Sequence, residues 1–315
     1  MKLRSAAFVS WLLALGTGCP GDSGDEGSDV TTAGDSTAGQ SESGDDGAGG
    51  ELLGCPPGGC TMLLAVQTLD DRVEVFVPDH PDSAYRGTIS LDLEPNACAM
   101  CGPGDNGEGR LDEPFGIVRA GGFLHVLTGH YPTRDAGSLV AFPLSFFEGY
   151  VAGSTVPVGD YFMGDQFTGG VLGRSLGERE AIFMHRHASG RLLVAVFNND
   201  LFATEDTWTL PGKLLVLDPT DPAGELGTLT LDGIGDGGCN GASQIVDLGG
   251  DGSVLAVACD GNEKVAVLDG SGVGDGSVAD AAASLGTGVL CSIPGAVSNR
   301  RVRYLAPDGN GGFVV

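Results

Sequence analysis

The sequence predicts an all-β chain assembled from a repeated unit of four strands. Apolar runs of five to seven residues, rich in Val, Leu, Phe and Ile, alternate with clusters of Gly, Asp, Asn and Pro, and no ten-residue stretch keeps a helical period. One hairpin also recurs, as Phe115–Leu127, Ala181–Val196, Gln244–Val257 and Val302–Val315, with the glycine ending each turn at 122, 190, 252 and 312. Those positions are spaced by 68, 62 and 60 residues. Four strands on a period of about 60 residues make a blade of a β-propeller.

The elements follow in order. Met62–Gln67, Arg72–Val77 and Gly87–Leu91 form an early blade that lacks its innermost strand. After each complete hairpin a third strand is expected at Ser138–Phe142, Lys213–Asp218 and Lys264–Asp269, then a weaker fourth such as Gly227–Leu231. The chain stops at Phe313–Val315, in the second strand of a blade. The expectation is therefore an incomplete ring of roughly four to five blades over residues 55–315, with about one to three more beyond Val315.

The first 54 residues are of another kind. Lys2 and Arg4 precede the apolar run Ala6–Leu15, which is too short to span a bilayer and reads as an export signal over residues 1–18. Residues 20–54 hold nine acidic residues and no Lys or Arg, so residues 19–54 are expected to form a disordered, self-repelling spacer. The whole chain carries 42 acidic against 16 basic residues, and residues 55–315 keep 33 against 14. No basic stripe exists to displace counterions, which argues against nucleic acid as a partner.

Two resemblances add to this reading. Leu15-Gly16-Thr17-Gly18-Cys19 resembles the lipobox of bacterial lipoproteins, although Gly16 stands where the usual Leu would be. That resemblance implies that Cys19 is acylated and anchors the protein in a membrane, with simple secretion as the alternative. Pro20 stands where many such proteins carry an inner-membrane retention aspartate, which implies the outer membrane. The hairpin opening Pro114-Phe115-Gly116-Ile117 and the strand ending Leu217-Asp218 resemble the NHL and lactonase-like propeller superfamily, as a repeat pattern only. A fold follows from it, and no function.

Candidate ligands lie in the loop after each second strand: Asp70 and Asp71, His130, Asn199 and Asp200, then Asp260 and Asn262. Calcium-dependent lactonases, which the fold resembles, gather carboxylate and amide oxygens in such a funnel to polarise a lactone carbonyl, and calcium is the cofactor this implies. Asp and Asn also simply make good turns. Asp247–Gly252 resembles the calcium loop of integrin-type propellers but lacks its middle and later ligands, as does Asp308–Gly312, so a hairpin turn is the plainer reading of both. His185 and His187 share one side of a strand without a third ligand at short spacing. Neither a Gly-x-Ser-x-Gly elbow nor a P-loop occurs.

Cys55, Cys60, Cys98, Cys101, Cys239, Cys259 and Cys291 remain in an exported chain, where disulfides persist. Cys98-Ala99-Met100-Cys101 is followed by Gly102, which excludes a c-type haem site, and with Cys55 and Cys60 it matches a four-thiolate zinc spacing. Export favours bridges. A hairpin turning at Gly249–Gly252 brings residues near 242 opposite Cys259, which predicts a Cys239–Cys259 bridge, and Cys291 is expected to find its partner past Val315. The function expected is a non-catalytic recognition or scaffold module with a protein or carbohydrate ligand, and the alternative is a calcium-dependent hydrolase or lyase. Cys19→Ser should abolish labelling by an alkyne-tagged fatty acid; labelling that persists in the variant would remove the anchor.

Overall fold

The computed structural model describes residues 61–68, 72–78, 85–91, 112–130, 137–144, 146, 154–157, 162–163, 166–167, 169–178, 180–198, 210–235, 237–286, 288–292, 305–308 and 312–314. The signal, the spacer, Cys19, Cys55, Cys60, Cys98, Cys101, Asp71 and Asn199 lie outside them. The described chain is all-β apart from short helical turns. Its strands make four four-stranded sheets.

The first sheet contains β1 (Leu63–Gln67), β2 (Arg72–Phe76) and β3 (Tyr85–Ser90). The second contains β4 (Asp112–Ala120), β5 (Phe123–His130) and β6 (Ser138–Pro143). β7 (Ser154–Pro157) leaves this second unit and adds to β3 in parallel, filling the outer edge of the first sheet. The minor hairpin of β8 (Phe162–Met163) and β9 (Gln166–Phe167) follows, and β10 (Leu172–Ser175) then returns to close the second sheet against β6. The third sheet is β11 (Ala181–Arg186), β12 (Leu192–Val196), β13 (Lys213–Leu217) and β14 (Gly227–Thr230), all antiparallel. The fourth is β15 (Ala242–Asp247), β16 (Val254–Cys259), β17 (Lys264–Asp269) and β18 (Gly288–Ser292). A last pair, β19 (Ala306–Pro307) and β20 (Phe313–Val314), packs beside β15.

The second, third and fourth sheets share backbone features. The first strands of the second, third and fourth sheets carry a register shift at the same place, between Pro114 and Gly116, Ala181 and Phe183, and Ala242 and Gln244. Such a bulge bends the strand and increases its twist. The hairpin glycines 122, 190 and 252 share left-handed backbone, as the turn requires. Gly312 departs from that series: its backbone is not left-handed, and its amide instead donates to Asp308 Oδ1.

β1 runs like a second strand. Just past its end, Thr68 Oγ1 donates to the Pro114 carbonyl (2.8 Å), at the start of β4, so β1 and β4 point in opposite directions. The first sheet therefore has no counterpart of β4 among the described residues, and its fourth strand, β7, comes from the segment between β6 and β10.

The core consists of successive layers between neighbouring sheets. β12 is buried at all five positions because Leu192, Val194 and Val196 pack toward the second sheet while Leu193 and Ala195 pack toward the fourth. In β16, Leu255 and Val257 likewise face the third sheet, while Ala256 and Ala258 pack with Leu305. A strand covered on both faces reads as a continuous apolar run, which is why the alternation of a half-exposed strand is missing here.

Two glycines fix how closely the sheets approach. Gly137 and Gly212 each precede a third strand, and a Cβ on either would lie 2.7 Å from the Cβ of Ala181 or Ala242, the first residue of the next sheet. Their amides donate to the carbonyls of Glu178 (2.7 Å) and Cys239 (2.8 Å). The short helix α1 (Val278–Ser284), which no periodicity announced, packs on β13 and β14, and Gly227 leaves room for its Val278 carbonyl. Gly137→Val and Gly212→Val should each destabilise the fold by about 1–3 kcal/mol through overpacking, whereas Gly233→Ala, into open space, should cost about 0.5 kcal/mol or less. Urea denaturation of the three variants measures the difference.

Candidate functional site

The two ends of the sheets differ chemically. At one end lie the starts of the first and third strands and the finish of the second. Phe197 N donates to the Glu180 carbonyl and Asp260 N to the Gly241 carbonyl, both at 2.9 Å, which pins the exit of each second strand to the entry of its own sheet. At the other end lie the tight hairpin turns.

The loop end gathers the strained backbone. The non-glycine residues with left-handed φ among those described are Glu180 (47°), Asn198 (58°) and Glu263 (56°), and all lie there. Left-handed backbone at a non-glycine residue persists only where its surroundings enforce it. Asn198 is held by its side chain, whose Nδ2 donates to the Pro211 carbonyl at 2.8 Å. Glu180 is buried, with its backbone carbonyl engaged as above, and the neighbouring Glu178 pairs with Lys213. Neither Glu180 nor Asn198 was singled out from the sequence. The aligned pairs Glu180-Ala181 and Gly241-Ala242 carry the signal, since a glutamate stands where the next repeat uses a left-handed glycine.

Of the expected funnel ligands, Asp260 lies buried at this end with a relative exposure of 4%. Asn262 is beside it, but its amide is committed to the fold. Its Nδ2 donates to the Gly238 carbonyl (2.7 Å), and its Oδ1 accepts from the Asn240 amide (3.3 Å). His130 closes β5 with its backbone opposite Asp112. Asp71 and Asn199 are outside the described residues. Among the described residues no three His, Cys, Asp or Glu side chains gather as a metal site.

The Cys239–Cys259 bridge forms as the register predicts. Ala242 lies opposite Cys259, a bend carries Cys239 back, and the Cα atoms stand 5.1 Å apart. Cys291 is also disulfide-bonded within the chain, which corrects the expectation of a partner past Val315; that partner lies outside the described residues.

At the turn end the carboxylates are spent on backbone. Asp247 accepts the amides of Gly249 (3.1 Å), Gly250 (2.8 Å) and Gly252 (2.8 Å), so the calcium-like loop is a capped hairpin turn. Asp218, Asp251 and Asp269 each take the amide and hydroxyl of the Thr or Ser two residues on. Those bonds favour the ionised form and hold the three carboxyls below the ordinary range.

The histidines serve the junctions between sheets. His125 is fully buried, its Nε2 3.1 Å from the Ala120 carbonyl, and desolvation lowers its pKa to about 4 against the smaller raising effect of the Ala120 and Pro219 carbonyls. His185 is lowered to about 4 by burial, opposed by Asp247 and assisted by His187.

No family model matches the chain, and no curated protein matches it. Among solved structures it is similar to hydrazine synthase of Kuenenia stuttgartiensis at 11% identity and a TM-score of 0.38, covering 66% of this chain and 49% of that one. This chain thus spans about half the length of that structure's chain.

Replacing Cys239 and Cys259 together by serine should cost about 3 kcal/mol, the loop-closure value for a separation of 20 residues. Chemical denaturation with and without reductant checks it: the reductant should shift the native protein and leave the variant unchanged at that bridge.

Proposed function

We propose that this chain is a bacterial cell-envelope lipoprotein whose sheets form a β-propeller working as a recognition or scaffold module through its loop end. The fold reading is supported by four sheets stacked in chain order, with consecutive first strands β4, β11 and β15 side by side and a common bulge in each. Envelope anchoring rests on the sequence Leu15–Cys19 and the acidic spacer behind it. The ligand is a protein or a carbohydrate, and a domain with this excess of acid disfavours polyanions.

One observation carries the functional part. Strained non-glycine residues collect at the loop end, whereas the turn end uses glycines and self-capped aspartates. Enforced backbone in loops on a rigid scaffold is how binding surfaces are commonly held. Asn198, whose side chain ties the exit of β12 to Pro211, is the natural contact point at this end.

Full-length protein should be screened on glycan and envelope-protein arrays, and each hit measured again with Asn198→Gly and Ser253→Ala. Asn198→Gly keeps the backbone angle but removes the tie to Pro211, so binding should weaken about tenfold, while Ser253→Ala at the opposite end should leave it unchanged. Binding untouched by Asn198→Gly would contradict this reading. A rise in melting temperature on adding calcium, abolished by Asp260→Ala and accompanied by lactone hydrolysis, would replace it with the hydrolase.

A further inference from the structure

We propose that acid parts the second and third sheets at their turn end, and that one imidazole, His125 of β5, sets the pH at which they separate. This is a property of the scaffold and does not depend on what the loop end binds.

Leu124 and Val126 of β5 pack toward the first sheet, so the alternation of the strand sends His125 and Leu127 toward the third. Counted from the bulge at the head of each first strand, the place of His125 is held by Leu193 in the third sheet and by Ala256 in the fourth. Both are apolar and fully buried. A polar ring thus stands where the neighbouring sheets use hydrocarbon, and it is buried as completely as they are.

The ring lies beside the contact that joins the two sheets at this end. The β4–β5 turn is pressed against the turn after β13 so closely that a Cβ on Gly121 would lie 2.5 Å from the Pro219 carbonyl carbon. His125 Nε2 is 3.1 Å from the carbonyl of Ala120, the last residue before its own turn, and the Pro219 carbonyl across the joint acts on the same ring. A carbonyl only accepts, so Nε2 carries the proton of the neutral imidazole. Nδ1 is buried with no hydrogen-bond partner. A second proton must go to that nitrogen, where no acceptor stands within hydrogen-bond reach. Solvating it means admitting water to the joint, between the β4–β5 turn and Pro219.

The charged side chains on the surrounding elements are engaged elsewhere. Arg119 on β4 and Arg186 on β11 are exposed, and β6 and β12 carry no charged residue. On β11, His185 faces Asp247 of the fourth sheet. On β13 and its turn, Lys213 pairs with Glu178, Asp218 is capped by Thr220 and acted on by Arg191, and Asp221 acts on Arg174. Burial therefore lowers the His125 pKa to about 4, opposed only by the two carbonyls. A histidine depressed by folding binds its proton more readily once the joint is open. The stabilisation is complete above the ordinary 6.5 and is lost as pH falls from there toward 4.

Urea denaturation of the full chain and of His125→Leu, which installs the residue the third sheet carries at this place, tests the proposal at pH 7.5 and pH 5. Relative to the variant, the unfolding equilibrium constant of the native chain should rise about tenfold or more on acidification. A ratio between the two that does not change with pH would overturn it. Amide exchange at pH 5 locates the opening. The amides of Leu144 and Asp221, bonded to the Gly122 and Asp218 carbonyls of the two turns, should exchange faster in the native chain than in the variant, while those of Gly212 and Cys239 behave alike in both. Equal acceleration at all four would contradict a parting of these two sheets. Should the variant fail to fold, ring-proton NMR titration of the native chain decides. His125 must stay neutral at pH 6 and take up its proton only as the two turn amides lose protection; a ring that titrates near 6.5 with the turns intact refutes the proposal.

Discussion

Where a third strand begins, its backbone lies against the first residue of the next sheet with no space for a side chain between them. Gly137 meets Ala181 and Gly212 meets Ala242, and in both places the glycine amide bonds to a carbonyl three residues ahead of the alanine. This approach decides how far apart neighbouring sheets can stand. Only at that separation do Leu193 and Ala195 reach Leu255 and Val257 across the gap, so the apolar layers depend on two hydrogen atoms standing in place of methyl groups. The bulges at the heads of the first strands belong to the same requirement, since each bends a strand where it enters beside its predecessor.

Much of the strand order was legible in the sequence, because similar hairpins recur along it. The turn glycines 122, 190 and 252 and the strands that begin at Ser138, Lys213 and Lys264 stand out once the chain is laid against itself. The Cys239–Cys259 bridge followed from counting back from the turn. Helix α1 was not legible, being too short at Val278–Ser284 to show a period, although Ser277 and Asp280 form a capping box that marks its start. β7 was not legible either. It adds to β3 in parallel from a remote segment, and nothing local in Ser154–Pro157 names that partner.

The site was less legible than the fold. Sequence gives residue type and loop position, so Asp260 and Asn262 were correctly drawn to the ends of second strands. It could not tell that the Asn262 amide is consumed by Gly238 and Asn240, or that Asp247 is consumed by its own turn. A chain with net charge −26 offers many acids, and here many of them satisfy backbone amides. The informative signal was an exception to the repeat, a glutamate at 180 where the next unit has Gly241.

If the glycine–alanine contacts bind the sheets into one body, no sheet can unfold alone at neutral pH. Native-state amide exchange under rising urea measures this directly, followed at the centres of β5, β12 and β16. The three strands should converge on a single opening free energy and a single urea dependence, and Gly212→Val should lower all three together. Separate opening of the fourth sheet, with β5 and β12 still protected at their full value, would contradict it.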